Sequence, residues 1–300
     1  MHSMPPSVSG LELWQWRTIA KQQAIAAHVP PTEVDWLLQE IAGLDRLSLR
    51  LESFKNKAEL PLKISLTELT QLWQQRLEAR LPVQYIVGST TWRQFSLIVS
   101  PAVLIPRPET EELIDLAIAT VQAHPALGQG AWVDLGTGSG AIALALADAF
   151  PQAAIHGVDV SEQALAIAQH NAQRLGLGDR IQFHQGQWFE PIAFLQHNLS
   201  GMVSNPPYIP HNLIPNLQPE VAQHEPHLAL DGGEDGLDCI RHLVNVAPDY
   251  LRSGGAWLIE MMAGQAESVS QLLEEQGSYW AIEIHRDLNG VERFASAFRV

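Results

Sequence analysis

A stretch rich in glycine limits the fold more than any other part of this sequence. In VDLGTGSGAIALALA, Gly136, Gly138 and Gly140 lie between an apolar strand pattern and an apolar helix pattern. Glycine adopts positive φ without steric cost and lets a backbone approach a ligand closely. A second strand pattern, AIHGVDV, ends at Asp159, 19 residues beyond Gly140. This order is typical of a parallel β-α-β unit.

The alternation of strand and helix patterns continues to the end of the chain. Further strands are predicted at RIQFHQG, GMVSN and GGAWLIEM, with helices at DGLDCIRHLVNVAPDYL and ESVSQLLEEQG. The last segments, YWAIEIH and RFASAFRV, form a hairpin that turns at Asn289 and Gly290. We therefore predict an α/β fold: a doubly wound, mostly parallel sheet with helices on both faces and an antiparallel C-terminal hairpin at one edge.

The N-terminal part has a different character. Two amphipathic helix patterns, PTEVDWLLQEIAGL and SLTELTQLWQQRLEAR, begin with a candidate N-cap at Thr32 and a capping box of Ser65 and Glu68. The β-rich segments VQYIVG and FSLIVSPAVLIP then predict a hairpin, and Pro108 is expected to open the next helix. The predicted domains are a helical bundle at 1–81, a β-hairpin connector at 82–106 and the α/β domain at 107–300.

Composition and charge exclude several classes of protein. The net charge is −15, and no run is rich in Lys or Arg, so an extended nucleic acid is a poor candidate partner. We see no membrane-spanning run of about 18 apolar residues and no secretory signal. The single cysteine, Cys239, cannot form an internal disulfide, so we expect a cytoplasmic protein. His224 and His227 flank a proline without further ligands at suitable spacing, and no metal is expected.

The glycine loop predicts a nucleoside cofactor. Its spacing is G-x-G-x-G, whereas a dinucleotide fingerprint is G-x-G-x-x-G, and this disfavours a nicotinamide-dependent oxidoreductase. Asp159 at the end of the second strand can accept hydrogen bonds from both ribose hydroxyls of an adenosine moiety. Glycines that serve only packing would not explain this acid.

The stretch SNPPYIP follows directly on a strand pattern and carries two consecutive prolines. Proline fixes φ and removes a backbone donor, so the strand must end here in a rigid turn. The turn presents the amide of Asn205 and the phenol of Tyr208.

Taken together, these motifs resemble the release factor glutamine methyltransferase family, which is Rossmann-type and depends on S-adenosylmethionine. The resemblance rests on PVQYIVG, VLIPRPETEEL, DLGTGSGAIALALA and SNPPYIP, with support from EPHLALDGGEDGLD and DLNGVER. It covers residues 80–300 strongly, whereas the N-terminal helices match only in general character. The turn alone is less specific, since methyltransferases acting on adenine in nucleic acids have a similar one.

The resemblance implies methylation of the glutamine in the Gly-Gly-Gln motif of class I peptide chain release factors, with the helical domain helping to dock that substrate. It also implies roles for individual residues. The cofactor would be held by the loop, the acid, an aromatic residue beside the adenine and the turn asparagine: Gly136, Thr137, Gly138, Ser139, Gly140, Asp159, Trp188 and Asn205. The substrate amide would be held by Asn205, Pro206, Pro207 and Tyr208, beside the signature residues Pro106, Arg107, Glu109 and Thr110.

Two positions depart from the family pattern. Gln187 stands before the Trp-Phe pair, where the family often has an acid that accepts from the adenine amine. A glutamine carbonyl can still accept, so we expect a modest effect on affinity. Met262 stands where the family commonly has glycine, two residues after Glu260, and this affects local backbone geometry.

The chemistry needs a means of orienting an amide. An amide nitrogen is a poor nucleophile, because its lone pair is delocalised; the barrier to rotation of a peptide bond is about 18–20 kcal/mol. The side-chain oxygen of Asn205 and the carbonyl of Pro206 can accept its two N–H groups, while Tyr208 packs on its plane. Orientation then supplies up to about 7–11 kcal/mol, and no strong general base is evident.

Three alternatives stay open at this point. A glutamine on a ribosomal protein would need the same chemistry, and sequence reasoning separates these two substrates poorly. An adenine-N6 methyltransferase would use the same turn on a flipped base, which the charge and the want of a target-recognition segment disfavour. A non-catalytic cofactor-binding protein is disfavoured by the intact turn.

Overall fold

The computed structural model describes residues 6–300 and divides into two compact units, the first ending at Gly88 and the second spanning Ser89–Val300. The hairpin predicted at 82–106 therefore begins in the first unit and lies mostly in the second. The assignment of 1–81, 82–106 and 107–300 as functional domains stays a prediction.

The first unit is built from helices. Its elements are β1 (Ser7–Val8), α1 (Gly10–Ala26), α2 (Thr32–Glu40), α3 (Arg46–Leu51), a 3-10 helix (Ser53–Asn56), β2 (Leu60–Pro61), α4 (Leu66–Glu78) and α5 (Val83–Val87). Their apolar faces enclose a core that includes Leu13, Leu37, Leu69 and Trp73.

Helix starts in this unit follow capping chemistry in part. The predicted box of Ser65 and Glu68 is present at the start of α4, with reciprocal bonds between side chain and backbone. The Thr32 cap was wrong: Thr32 is the first residue of α2, and Pro31 stands in the cap position without a side-chain bond. The prediction of a strand at VQYIVG was also wrong. These residues form α5, which ends at Gly88 with φ 77°.

The second unit alternates strands and helices as predicted. Its strands and α-helices are β3 (Ser89–Trp92), β4 (Phe95–Ile98), α6 (Glu111–Ala123), β5 (Ala131–Leu135), α7 (Ala141–Ala149), β6 (Ala154–Asp159), α8 (Glu162–Arg174), β7 (Ile181–Gln185), β8 (Leu199–Ser204), α9 (Pro219–His224), α10 (Asp238–Tyr250), β9 (Leu251–Glu260), α11 (Ala266–Gln276), β10 (Tyr279–Arg286) and β11 (Glu292–Arg299). Its 3-10 helices are Pro125–Gln129, Gly178–Arg180, Glu190–Leu195, His211–Asn216 and His227–Ala229.

The seven-stranded sheet has the order β10-β11-β9-β8-β5-β6-β7. Strands β9, β8, β5, β6 and β7 are parallel, and β10 and β11 form the antiparallel edge. One core packs α6, α7 and α8 on the sheet, and a second core packs α10 and α11. Helices therefore cover both faces, and the predicted doubly wound fold is confirmed.

The strand order places a switch point between β5 and β8. The chain moves outward from β5 to β6 and β7, then returns to the other side of β5 at β8. Such a switch opens a crevice at the carboxyl ends of the strands, where ligands bind in open α/β sheets. Leu135 and Ser204, the last residues of β5 and β8, are register partners at this edge.

Candidate active site at the carboxyl edge of the sheet

The glycine loop after β5 is held by the neighbouring strand. The N–H groups of Gly136 and Thr137 both donate to the carbonyl of Val158 at 2.9 Å, and that of Gly140 donates to Thr137 at 2.8 Å. Gly136, Gly138 and Gly140 have φ of 77°, 53° and 85°. Residues with a side chain rarely adopt these values, which is why the loop needs glycine at all three positions.

The carboxylates of Asp134 and Asp159 both hydrogen-bond to the glycine loop or to the helix that follows it. The buried Asp134 accepts from the Thr137 hydroxyl at 2.6 Å and from the Ala143 N–H at 3.0 Å, both through Oδ2. Its Oδ1 has no hydrogen-bond partner within the described chain, and burial raises the pKa of Asp134 to about 7. Asp159 accepts from the N–H of Gly138 at 2.8 Å and of Ser161 at 2.9 Å, and burial raises its pKa.

This loop differs from a cradle for pyrophosphate. A pyrophosphate cradle offers free backbone N–H groups, whereas those of Gly136, Thr137, Gly138 and Gly140 are already bonded within the protein. A Cβ on Gly136 would lie 3.9 Å from the ring of Trp188, so a larger side chain would enter the space between them. The arrangement fits a flat group beside Trp188 better than a chain of phosphates.

The proline turn after β8 is joined to two other elements by side chains. The amide of Asn205 donates through Nδ2 to the Thr110 hydroxyl at 3.2 Å. Thr110 donates to Oε2 of Glu260 at 2.6 Å, and the Tyr208 hydroxyl donates to Oε1 of the same carboxylate at 3.0 Å. Asn205, Thr110, Glu260 and Tyr208 form one hydrogen-bonded network, which we call the Glu260 network.

Burial sets the electrostatics of this network. Glu260 is 1% exposed, and desolvation raises the pKa of its carboxyl, opposed by the two hydroxyl donors and by Arg293 nearby. The pKa of Tyr208 is also raised, first by burial and then by the charge of Glu260. Burial and the neighbouring carboxylate both disfavour loss of the Tyr208 proton, so Tyr208 acts as a hydrogen-bond donor here.

The backbone of the turn is clamped as well. Nε2 of the buried Gln265 donates to the carbonyls of Tyr208 at 3.1 Å and Gly236 at 3.2 Å. Gly236 has φ 78°, and a Cβ there would lie 2.4 Å from the carbonyl oxygen of Tyr208. Ile209 forms a bridge with Asp231, which joins the turn to the following loop.

The LIPRPET segment contacts the chain that follows the proline turn. Arg107 forms an ion pair with the buried Glu225, and its carbonyl accepts from the Trp92 indole at 2.8 Å. Burial raises the pKa of Glu225, and Arg107 opposes this. The helix predicted to open at Pro108 begins instead at Glu111, because residues 107–110 form a turn that places Thr110 against Glu260.

Two acceptors of the turn are without a donor. The Thr110 oxygen accepts a hydrogen bond from Nδ2 of Asn205, so Oδ1 of Asn205 has no bond to Thr110. Within residues 6–300, neither this oxygen nor the carbonyl of Pro206 receives a hydrogen bond from the protein. A pair of acceptors next to a glycine loop is the arrangement expected for a ligand that carries an NH₂ group.

The structure thus gathers most of the residues singled out from the sequence. The loop residues Gly136–Gly140, Asp159 and Trp188 lie together, and the turn Asn205–Tyr208 joins Thr110. Pro106 and Glu109 are partly exposed in the segment before α6. Gln187 is exposed, and its backbone carbonyl accepts from Glu190.

Sequence reasoning missed the supports of the turn. Glu260 carried a signal, because it ends an apolar strand as Asp159 does, and such acids lie at the functional edge. Gln265 and Glu225 lie in loop or helix-start positions that no pattern distinguishes. Within the part of the chain that the structure describes, no group of three or more His, Cys, Asp or Glu could hold a metal, and no helix is long and apolar enough to cross a membrane.

Comparison with known proteins gives several relatives over nearly the whole chain. The family described as Methyltransferase domain matches residues 129–279. The Release factor glutamine methyltransferase of Synechocystis sp. is 52% identical, over 97% of each chain. The protein of the same name from Thermosynechococcus vestitus is 49% identical, over 88% of this chain and 90% of the relative. That of Gloeobacter violaceus is 42% identical, over 94% and 96%.

Among solved structures, the catalytic domain of hMettl16, in complex with a MAT2A 3'UTR hairpin, has a similar fold. The TM-score is 0.53 at 15% identity, over 77% of this chain and 80% of that chain. At this identity the likeness concerns the fold alone, and it agrees with the doubly wound sheet described above.

Proposed function

Because the chain belongs to the release factor glutamine methyltransferase family, we propose that it methylates the glutamine in the Gly-Gly-Gln motif of class I peptide chain release factors. The methyl group would come from S-adenosylmethionine and go to the side-chain amide nitrogen, N5. The observation that carries this proposal is the pair of unbonded acceptors, Asn205 Oδ1 and the Pro206 carbonyl, beside the glycine loop.

The residues of the loop fit S-adenosylmethionine. Asp159 is fixed by two backbone donors and keeps further lone pairs for ribose hydroxyls, while Trp188 borders the space beside Gly136. Gly138, where a Cβ would meet nothing within 4 Å, leaves the loop open on its outer side. When bound, this cofactor supplies a methyl group on a positively charged sulfur.

The turn residues orient the substrate. Asn205 Oδ1 and the Pro206 carbonyl accept one N–H each from the glutamine amide, and this fixes the plane and the direction of its lone pair. Pro206 and Pro207 keep both acceptors still, since proline restricts the backbone. As the new N–C bond forms, the bond from the methyl carbon to the donor's sulfur would break, and its electron pair would go to the sulfur. The nitrogen would lose one of its two protons to solvent, while the two acceptors orient its N–H groups.

Catalysis by orientation explains why no general base is needed at the nitrogen. A well-oriented reacting pair gains up to about 7–11 kcal/mol relative to reactants free in solution. Glu260 is buried behind Thr110 and Tyr208, so its carboxylate serves those hydroxyls. The rigid turn is the main resource that this chain brings to the reaction.

The first unit is proposed to help dock the release factor. Its described residues form no cluster of side chains suited to catalysis or metal binding, and its helices enclose a separate core. A docking role agrees with a substrate that is a protein and that must present one loop to the turn.

Mass spectrometry of a purified release factor after incubation with this protein and S-adenosylmethionine tests the function. The expected result is one added methyl group on the loop glutamine and none when that glutamine is replaced. Parallel incubations with ribosomal proteins and with DNA, using labelled cofactor, cover the two rival substrates. Label in either of these, with an unmodified release factor, would overturn the proposal.

A further inference from the structure

The Glu260 network has a direction that follows from counting hydrogens. Thr110 has one hydroxyl hydrogen and lies 2.6 Å from a carboxylate oxygen of Glu260 and 3.2 Å from the Asn205 amide. The carboxylate is acceptor-only when ionised, so the hydroxyl hydrogen goes to Glu260. The oxygen of Thr110 then can only accept, and the group of Asn205 beside it must be the NH₂.

The Tyr208 hydroxyl completes this direction. It donates to Oε1 of Glu260 at 3.0 Å, so that both carboxylate oxygens receive a hydroxyl. Arg293 opposes the burial that raises the pKa of Glu260, and it forms its own ion pair with Asp287 at 2.7 Å. Glu260 and Thr110 are 1% and 4% exposed, which excludes water as an easy alternative partner.

We propose that Glu260, acting through Thr110, is a positioning residue that holds the Asn205 amide with its oxygen toward the substrate and thereby makes the site selective for an amide over a carboxylate. The inference rests on the proposed function for the identity of its substrate. It assigns Thr110 a place behind Asn205 rather than against the substrate.

Selectivity follows from the fixed orientation. With Oδ1 outward, Asn205 and the Pro206 carbonyl offer two acceptors, which suit an NH₂ group. A glutamate side chain in the same place would bring its carboxylate oxygens next to these two acceptors, which is repulsive. It would also lose its hydration without gaining hydrogen-bond partners. If the Asn205 amide were reversed, its NH₂ would face the ligand and this preference would weaken.

The test compares Thr110→Val with Thr110→Ser. Valine has nearly the same shape but lacks the hydroxyl, whereas serine keeps it. Thr120→Val is the matched control, because Thr120 lies on α6, ten residues after Thr110, and within residues 6–300 its hydroxyl binds only the carbonyl of Leu116 at 2.8 Å. Circular dichroism and the dissociation constant for S-adenosylmethionine verify that each variant is folded and loaded.

Three quantities are measured: kcat on a release factor, the affinity ratio between that factor and its version with glutamate in the loop, and the ¹⁵N side-chain amide signals of Asn205. For Thr110→Val we expect kcat to fall roughly 10- to 100-fold, as for a misplacement of about 1 Å. We expect a preference for glutamine of at least about tenfold in the wild type, reduced severalfold in this variant. The Asn205 amide protons should exchange faster with solvent. Thr110→Ser should recover most of each loss, and Thr120→Val should match the wild type.

If Thr110→Val acted only by disturbing the structure, Thr110→Ser would show similar losses or the affinity for the cofactor would fall. The losses would then not depend on whether the hydroxyl is present. Unchanged kcat, preference and amide exchange in Thr110→Val would overturn the inference while the proposed function stands. The amide signals need no substrate. If they respond as expected but the wild type leaves the release factor unmodified, the orientation is supported and the proposed function is wrong.

Discussion

The glycine loop after β5 and the proline turn after β8 end neighbouring parallel strands, yet they are held in different ways. The loop bonds to Val158, Asp134 and Asp159, which are at most 22 residues away from their partners in it. The turn relies on Thr110, Glu260 and Gln265, which are 95, 52 and 57 residues away from their partners in it. The geometry of the loop is thus local, whereas the geometry of the turn depends on the assembled sheet.

Removing the amide of Asn205 should have the largest effect and separate the two regions cleanly. We expect Asn205→Ala to abolish transfer, a loss of at least about 10²-fold in kcat, because an orienting acceptor is lost at the reacting group. Cofactor affinity should stay within about tenfold, or 1.4 kcal/mol. Kinetics on a release factor and calorimetric titration with S-adenosylmethionine measure the two. Asn198→Ala, an exposed asparagine ahead of β8, is the control. Equal losses of binding and turnover would show that Asn205 serves the cofactor.

On the loop side, Asp134 should control the pH dependence of stability. Its pKa is raised from 3.8 to about 7 in the folded protein, so the protonated form is favoured and stabilises the fold at low pH. This contribution is lost as pH rises from about 4 to about 7, and it is on the order of 4 kcal/mol. In Asp134→Asn this slope should be absent. Urea unfolding at several pH values between 4 and 8 measures the difference between the two proteins, and parallel curves would contradict the prediction.

The backbone clamp of the turn is tested at Gly236. A Cβ there would lie 2.4 Å from the Tyr208 carbonyl, so Gly236→Ala should displace the turn and lower kcat roughly 10- to 100-fold. Gly277→Ala provides the control, since Gly277 has φ 76° but nothing within 4 Å of its Cβ position. Steady-state kinetics of both variants separate crowding from backbone strain. Equal kcat values would mean that the contact with Tyr208 is unimportant.

The smallest effect is expected at Gln187. An acid here could accept from the adenine amine more strongly than an amide does, but Gln187 is exposed, so Gln187→Glu should tighten cofactor binding by less than about fivefold. Gln182→Glu, exposed on β7, adds the same charge elsewhere and should leave affinity unchanged. Calorimetric titration of both variants decides. Weaker binding by Gln187→Glu would show that position 187 does not face the adenine as an acceptor.

The contrast between the two regions also explains what could be predicted from sequence. The glycine loop, the strands around it and the C-terminal hairpin were correctly predicted, because their patterns and turn residues are local. The segment VQYIVG was misread as a strand, since its β-branched and aromatic residues favour a strand while the turn at Gly88 and the surrounding core favour a helix turn.

The residues that hold the proline turn could not be predicted from the sequence. Nothing near Gln265 indicates that its side chain reaches back to Tyr208, and nothing near Thr110 indicates a carboxylate 150 residues later. Such contacts follow from strand order, since β8 and β9 are neighbours and α6 packs on the same sheet. Strand order is not written in any short pattern.

The separation of Thr110 from Glu260 has a consequence for folding. Contacts between distant residues form late, because the entropy of closing a long loop must be overcome first. The bond between these two side chains joins positions 150 residues apart, one directly before α6 and the other at the end of β9. A chain that has collapsed around its helices but not yet ordered its sheet would hold Asn205 in no fixed orientation. We therefore expect methyl transfer to return no earlier than helix content when the protein refolds.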